Sequence, residues 1–473
     1  MATSLRDYIK ENHKDYDNQL AIWEYHLRSY LGGKEYEEGH YLHKYTLETG
    51  SQYDNRLKQT PLDNHCRNII HIYSSYIWRV PPTRNFGIIE QDPMLESFLK
   101  DADLDGRSFD AIMRDAQIHA SVYGSVWLFL DKPNLNFETR AEEIDLEIRP
   151  YLSLVTPENV TNWKYQRMTT GRYYLAWIRI REEVSKDYTI YREWFEDKII
   201  AYKVDEVRNQ VEMIDEIPNS LGKIPFICLY NQRSHKRGIG ISDVTDVADI
   251  QKSIYNELSE IEQLIRISNH PSLVKTPEVE ASAGAGSIVE MPSDMDANLK
   301  PYMLQPSGQN LESIMASIRE KVSSIDRITH LGSVRATETK SQSGIALQTE
   351  FQLLNARLSE KADFLEIAEE QIWKCWAMWQ GREFDGVIEY PKAFDLRDWA
   401  NDLEYLMTAR ASSVRSDMFK KEVEKQIVSS VLDDDEVIQE AHKEIDSSEP
   451  PQLPFALQQP QEEEEEPQEQ EVA

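Results

Sequence analysis

Apolar residues recur at helical spacing through the first third of the chain. The first such face is formed by Leu20, Trp23, Leu27 and Tyr30. Gly32-Gly33 follows this face and Pro81-Pro82 follows the next periodic stretch, and both pairs are stop signals for a helix. Two more helices are predicted on either side of the turn DADLDG, before the apolar, strand-like run SVWLFLD.

The spacing of apolar residues changes from helical to alternating after Asn134. Period-two alternation, with turn residues between the segments, predicts an antiparallel β meander. The alternating segments are IDLEIRPYLSLVTPENVTNWKY, RYYLAWIRIREEV, DYTIYREWFED and KIIAYKVDE. Helices combined with an antiparallel meander predict an α+β fold.

Three long amphipathic helices are predicted in the second half of the chain, because apolar residues again recur every three or four positions. The first opens at Asp243, with Ser242 as its cap, and ends at His270-Pro271. The second spans about 309–330 and the third about 344–380. In each helix the apolar residues keep to one face, which is expected to pack against the core, while other faces of the third helix could contact neighbouring subunits.

The C-terminal part is predicted to be helical and then disordered. A strand-like piece, DGVIEYP, is followed by helical patterns from about 396 to 445. The last 28 residues, from Asp446, contain nine acids and no base, with repeated Pro and Gln. This composition buries too little apolar surface to order itself, so it predicts a disordered acidic tail, which is either a solubilising end or an arm for a basic partner.

Charge and cysteine content narrow the classes of function. The 473 residues include 83 acidic and 52 basic side chains, a net charge of −31, which argues against a general DNA-coating role but leaves room for a local cationic spot. Cys66, Cys228 and Cys375 stand far apart, as expected in a reducing compartment. No run of about 20 apolar residues is present and the first residues lack a secretion signal, so we expect a soluble protein made in a cytoplasm.

A polar segment, SVRATETKSQSGIAL, separates the second and third long helices. It carries two cations, Arg335 and Lys340, between flexible positions at Gly332 and Gly344. An ordinary solvated connector is one interpretation, because such loops are common.

The order of these elements resembles that of the portal proteins of tailed double-stranded DNA bacteriophages. The resemblance covers roughly residues 20–445 and rests on an ordered series, since no single motif is diagnostic. Its pieces are LVTPENVTNW, GKIPFICLYN, RGIGISDVTDVADIQKSIYNELS, a small insert, a returning helix, the polar loop and SGIALQTEFQLLNARLSEKADFLEIAEEQIWK.

The resemblance implies a ring, usually of twelve subunits, at one capsid vertex of the virion. By analogy, the regions are a wing (1–241), a first stem helix (242–270), a clip (271–306), a second stem helix (307–330), a tunnel loop (331–343), a returning wing helix and strand (344–395), a crown (396–445) and the tail (446–473). The glycines of RGIGISD would form the hinge into the first stem helix, and SAGAGS a tight turn in the clip.

The implied role is structural: a conduit for DNA packaging and ejection, without enzymatic activity or a cofactor, made in the cytoplasm of a bacterial host. The implied partners are the DNA duplex, the terminase packaging motor, a head-tail adaptor or tail protein, the major capsid protein and a scaffold protein, with no membrane. Arg335 and Lys340 would meet DNA in the channel, and Arg319, Lys321 and Arg327 are candidate channel-facing residues of the second stem helix. Few cations on an acidic wall would give weak, transient phosphate contacts.

Two alternatives from other classes remain open, a metal-dependent enzyme and a cellular coiled-coil scaffold. DADLDG begins like a calcium-binding loop, but its twelfth position is Ile112 instead of Glu, so a helix connector with Ser108 as the next N-cap is favoured. Two pairs of histidines are candidate zinc ligands, His40 with His43 and His65 with His71. Two ligands do not complete a zinc site. No phosphate-binding glycine motif is present.

Overall fold

The computed structural model of the chain describes residues 4–133, 142, 144, 146, 148–269, 272–274, 296, 302–304, 309–335, 344–394, 406–411, 416–431 and 435–447. The chain divides into two compact units, residues 1–394 and residues 395–473. The first unit holds the sheets and the long helices, and the described residues of the second unit are mainly helical.

The first third of the chain is mostly helical, as predicted. Its helices are α1 (Leu5–Lys10), α2 (Tyr16–Leu31), α3 (Gly33–Glu38), α4 (Gly50–Gln59), α5 (His65–Ile77), α6 (Leu95–Lys100) and α7 (Phe109–Tyr123). Side-chain oxygens of Ser4, Thr49, Asn64 and Ser108 accept a backbone N–H in the first turn of the helix that follows each of them. The predicted stop after α2 is confirmed, because Gly32 caps it with a φ of 64°.

A buried three-stranded antiparallel sheet follows α7. Its central strand is β2 (Ser125–Asp131), the predicted SVWLFLD strand, and six of its seven residues are buried. It lies between β3 (Tyr151–Val155) and β9 (Phe226–Tyr230). A separate antiparallel pair joins β1 (Thr83–Asn85) to β12 (Val387–Glu389).

Most of the predicted meander is a five-stranded antiparallel sheet with strands in sequence order, but the earlier part of its first segment contains β3, which belongs to the three-stranded sheet. The strands are β4 (Val160–Arg167), β5 (Tyr173–Val184), β6 (Tyr188–Phe195), β7 (Lys198–Asp205) and β8 (Gln210–Pro218). The prediction missed β8. No residue of that strand is buried, so a pattern based on burial could not detect it.

The three predicted long helices are present, with ends close to the expected positions. They are α8 (Thr245–Asn269), α9 (Gln309–Thr329) and α11 (Gly344–Trp379), and a short helix, α10 (Gly332–Arg335), precedes α11. Two short strands, β10 (Ser272–Val274) and β11 (Tyr302–Leu304), pair antiparallel in the segment between α8 and α9. The turn SAGAGS lies outside the described residues.

α11 is the central helix of the main core. Its buried side chains pack in one cluster with residues of α5, α7, β2 and β9, and the largest of them are Trp373 and Trp376. The burial of this aromatic and aliphatic surface is the main contribution to the free energy that holds α11 against the strands.

The glycines of RGIGISD, which we expected to form the hinge into the first stem helix, lie in closely packed surroundings. A Cβ on Gly240 would lie 1.9 Å from the carbonyl oxygen of Gly124, and one on Gly238 would lie 2.7 Å from Trp163 Nε1. Both glycines therefore serve close packing against the body of the first unit.

The second unit contains α12 (Asp417–Val431) and α13 (Asp435–Ser447). Lys425 Nζ lies 2.6 Å from Asp446 Oδ1, and Lys421 Nζ donates to the Asp446 carbonyl at 2.8 Å. Asp446 thus belongs to a helix instead of opening the predicted tail. Residues 448–473, the rest of that tail, lie outside the described residues.

Candidate nucleic-acid interface

α8 and α9 pack side by side, and α8 also contacts α2 and α5. Buried residues of α8 extend from Val247 to Ser259, and no described side chain from 260 to 269 is buried. In α9 the buried residues are Ile325 and Thr329, close to its C-terminal end. The far halves of the two helices, with β10 and β11 between them, therefore form a projecting helical hairpin.

A polar contact holds the two helices of this hairpin together. Glu257 Oε1, on α8, accepts from Lys321 Nζ at 2.6 Å and from Ser317 Oγ at 2.7 Å. Lys321 is one of the predicted channel-facing residues, and its side chain is only 28% exposed. Within a single subunit it is directed at the partner helix.

The other two predicted cations of α9 face solvent. Arg327 lies 3.3 Å from Glu320 Oε1 and 3.4 Å from Ser323 Oγ, and both members of the Arg327–Glu320 pair are exposed. Arg319 is exposed and forms no ion pair with a residue that the structure describes. An exposed pair such as Arg327–Glu320 contributes roughly 0–1 kcal/mol, so both cations are available to a polyanion.

A buried cluster of charges, which we call the ionic joint, connects the base of the hairpin to α11. It consists of Asp243, Arg357 and Lys361. Lys361 Nζ lies 2.6 Å from Asp243 Oδ2, and Arg357 Nη2 lies 3.0 Å from Asp243 Oδ1. Burial raises the pKa of Asp243, but the charges of Lys361 and Arg357 outweigh it and lower the pKa to about 2. The carboxylate is therefore ionised although it is buried.

Further hydrogen bonds connect the surroundings of the ionic joint to the end of α9 and to the body of the first unit. Arg357 Nη1 donates to the carbonyl of Ile328 at 3.3 Å, in the last turn of α9. Tyr73 OH donates to the neighbouring carbonyl of Thr329 at 2.7 Å. Lys361 Nζ also donates to Asn231 Oδ1, which accepts from Ser121 Oγ at 3.1 Å. The hairpin is thus anchored to α5, α7 and α11 through polar contacts.

Ser242 and Asp243 do not open α8 as we expected. The helix begins at Thr245, because Asp243 is drawn into the ionic joint. Ser242 Oγ accepts from Val244 N at 3.0 Å and lies 2.6 Å from the carbonyl oxygen of Val122. The sequence contained one signal for this joint: Arg357 and Lys361 interrupt the apolar face of α11 four residues apart.

Arg335 lies in a helical turn, not in an open loop. Leu331 is fully buried, and its carbonyl accepts from Arg335 N at 2.9 Å, which extends helical structure into the predicted tunnel loop as α10. Lys340 and the rest of 336–343 lie outside the described residues. The first described part of the predicted tunnel loop, Gly332–Arg335, is therefore helical.

The Arg335 guanidinium is already engaged within its own subunit. Nη1 lies 2.7 Å from Asp326 Oδ1, Nη2 lies 2.7 Å from His65 Nδ1, and the side chain is 13% exposed. Because a guanidinium only donates, His65 Nδ1 must accept and the ring proton must sit on Nε2, 3.2 Å from Asp63 Oδ2. Burial raises the pKa of Asp326, and the Arg335 charge opposes that rise.

The DADLDG acids bind protein donors. Asp103 Oδ2 accepts from Arg107 Nε at 2.6 Å, and Asp101 Oδ1 accepts from Gly106 N at 2.8 Å. Ser108 Oγ accepts from Ala111 N at 3.3 Å and caps α7, which confirms the connector interpretation. Asp101 Oδ2 also accepts from Arg149 at 2.9 Å.

The four candidate histidines lie in different surroundings. His40 is in a turn with a φ of 50°, and His43 N donates to Asn256 Oδ1 at 2.6 Å. His71 Nε2 lies 3.4 Å from Tyr30 OH, while His65 contacts Arg335. Across the described part of the chain, no group of three or more His, Cys, Asp or Glu side chains is placed to hold a metal ion.

Two of the solved structures that are similar to this chain come from gene transfer agent particles. No protein-family model and no curated protein matches it. A chain from the virion of a native gene transfer agent particle is 9% identical, with a TM-score of 0.44, and the match covers 76% of this chain and 89% of that one. A chain from the neck of an empty gene transfer agent particle, computed with C6 symmetry, is 9% identical with a TM-score of 0.42 and the same coverage. Likeness at these TM-scores carries no argument about function.

None of the helices in the described part of the chain combines the length and the apolar character that crossing a bilayer requires.

Proposed function

We propose that this chain is the subunit of a ring through which double-stranded DNA passes, with the role of a portal in a tailed-phage-like particle. In this proposal α8 and α9 line the channel, the segment between them forms the clip, and residues 336–343 reach toward the axis. The ring has no enzymatic activity of its own.

The observation that carries the proposal is the projecting hairpin with its anchored base. The far halves of α8 and α9 bury no described side chain within one subunit. Two helices of this kind gain little stability from each other alone, because helix stability in proteins comes mainly from packing of an apolar face. The exposed apolar side chains of the hairpin, Ile265, Met315 and Ile328, would be covered by the hairpins of adjacent copies.

Charge supports a channel that lets DNA pass without binding it tightly. A chain of net charge −31 presents an overall repulsive surface to phosphate. Arg319 and Arg327 are exposed cations on α9, and Lys340 follows in the loop. Isolated cations on an acidic background make weak phosphate contacts that salt screens, which suits repeated release and rebinding.

The proposal extends to the partners of the ring. The clip would dock an ATP-driven packaging motor and later a head-tail adaptor or tail protein, while the wing would contact the major capsid protein and a scaffold. The acidic residues after 448 have the charge to engage a basic partner during assembly.

Native mass measurement of the purified full-length chain tests the proposal. A ring requires a large closed oligomer with one dominant copy number. A monomer or a small bundle of two to four copies would contradict it and would favour the coiled-coil scaffold.

A further inference from the structure

The β4–β5 hairpin extends beyond the rest of the five-stranded sheet. The pairing of β6 with β5 begins at Trp177, opposite Phe195, so Tyr173–Ala176 pairs with β4 alone. Four residues at about 3.3 Å each make an arm of roughly 13 Å. At its tip, Met168 and Tyr173 are each 48% exposed.

This arm carries cations that no described carboxylate neutralises. They are Lys164, Arg167, Arg172 and, from the adjacent loop 232–238, Arg233 and Arg237; we call this set the cationic arm. The Arg237 guanidinium lies 3.7 Å from the centre of the Tyr173 ring, which joins the loop to the arm. Arg167 Nε donates to the Gly171 carbonyl at 3.1 Å. Arg167 lies 5.7 Å from the centre of the same ring, so two of these guanidinium groups meet at Tyr173. In a chain with 83 acids and 52 bases, cations without a described carboxylate partner are a local surface suited to an external anion.

The opposite edge of the same sheet has the complementary character. β8 carries three acids, Glu212, Asp215 and Glu216, and no base. Glu216 pairs with Lys198 at 2.9 Å, while Glu212 and Asp215 form no ion pair with a described residue. Lys203 lies opposite Glu212 in the register, but its Nζ sits 4.4 Å above the ring of Tyr188.

β8 also exposes apolar side chains and one open edge. Met213 and Ile214 are each 52% exposed, and within the sheet β8 has only β7 as a neighbour. An edge strand with exposed apolar residues is a template for another chain, and its acids restrict which chain can approach.

We infer that the cationic arm of one copy docks on β8 of a second copy of this chain. Arginines meet Glu212 and Asp215, and Met168 and Tyr173 cover Met213 and Ile214. The two surfaces lie on opposite edges of one sheet, so the contact is heterologous and passes from copy to copy until the rotation closes. The inference rests on the proposed ring and identifies which surfaces join its subunits.

A protein partner fits this arm better than a duplex does. Cations and a tyrosine also suit a phosphate backbone. The chain itself, however, offers an acidic strand with two apolar side chains that match the exposed pair at the arm tip. Duplex binding is therefore a competing outcome of the test.

Charge reversal on each side separately tests the docking in the full-length chain. The arm variant is R167E/R172E and the strand variant is E212K/D215K. Matched controls that change the same charge at exposed sites outside the sheet are K34E/K44E and E35K/E38K. Sedimentation and native mass report assembly, thermal unfolding reports the fold, and a labelled 30-base-pair duplex reports DNA binding.

Each reversed variant should lower the assembled fraction at least tenfold without lowering the melting temperature, while the controls assemble normally. An equimolar mixture of the two variants should restore assembly, because the glutamate arm of one meets the lysine strand of the other and the unchanged arm meets the unchanged strand. If a reversed variant unfolds, the neutral pair R167Q/R172Q and E212Q/D215N replaces it, with a smaller loss expected.

Normal assembly of both reversed variants, or a mixture that stays dissociated, would overturn the docking. If the wild type nevertheless forms closed rings with a central opening, the proposed function stands and only the assignment of the arm and β8 as the joining surfaces is wrong. If the wild type forms no ring but the mixture still rescues a smaller oligomer, the docking stands and the proposed function fails. Duplex binding that R167E/R172E abolishes, with assembly unchanged, would assign the arm to nucleic acid and overturn the inference.

Discussion

Asp243 is the residue on which the attachment of the hairpin most depends. Lys361 and Arg357 hold it in a buried position where an unpaired carboxylate would be costly. Removing one partner from a buried ion pair typically costs about 3–5 kcal/mol. We expect Lys361→Met to lower the free energy of unfolding by about 3 kcal/mol in urea denaturation, and the exposed control Lys374→Met to change it by less than about 0.5 kcal/mol. Equal losses of unfolding free energy in the two variants would show that the ionic joint does not stabilise the fold.

Asp243 is also expected to make the stability of the fold depend on pH. The pKa of Asp243 is about 2 in the folded chain against 3.8 ordinarily. The ionised carboxylate therefore stabilises the fold fully above about pH 4, and this stabilisation is lost as the pH falls toward 2. The corresponding change in the free energy of unfolding is about 2 kcal/mol. The difference in unfolding free energy between wild type and Asp243→Asn should shrink by about that amount between pH 5 and pH 2. A constant difference would contradict the assigned ionisation.

Arg335 and Lys340 should respond differently to replacement by alanine. Arg335→Ala leaves Asp326 without its guanidinium partner, so the melting temperature should fall by a few degrees. Lys340→Ala should leave melting and ring assembly unchanged but alter packaged DNA length or retention. Normal packaging with Lys340→Ala would remove the loop from the DNA path.

At the scale of elements, helix and strand positions followed from periodicity where one face is buried. α11 begins close to the predicted position, because buried apolar residues recur at helical spacing from Leu354 to Trp376, with Arg357 and Lys361 as the polar exceptions. β8 was missed because none of its residues is fully buried in one subunit, although Val211 and Ile217 are partly buried. α10 was missed because Arg335 contacts Asp326 and His65, and His65 is 270 positions away in sequence. Periodicity reports burial within a chain and does not detect polar contacts or surfaces that wait for a partner.

The candidate site could be predicted only in part for the same reason. Arg319 and Arg327 are exposed as a channel role requires, whereas Lys321 bonds to Glu257 of α8. Helix periodicity places all three on α9 but does not say which side the neighbouring helix covers, so their directions needed three-dimensional contacts.

The hairpin itself predicts an effect on assembly. Ile265 and Met315 are exposed in one subunit and would be buried between subunits of a ring. We expect I265D/M315D to reduce the assembled fraction at least tenfold without changing the melting temperature of the isolated subunit, since burying a carboxylate against a neighbour is unfavourable. Leu47→Asp, at a residue that is 95% exposed in the first unit, should assemble normally. Full assembly of the double variant would place the hairpin outside the subunit contacts.

At the scale of the whole molecule, the proposed role depends on both the acidic net charge and the anchoring of the hairpin by the ionic joint. The ionic joint fixes the base of the hairpin, and in the proposed ring a net charge of −31 per copy would repel phosphate except near a few cations. Salt should therefore change the interaction of the ring with DNA more strongly than it changes the fold.

End-on negative-stain imaging of the purified full-length chain tests the central claim most directly. We predict closed rings with a central opening wide enough for a B-form duplex. Solid particles, open filaments or an opening narrower than the duplex would contradict the role of a DNA conduit.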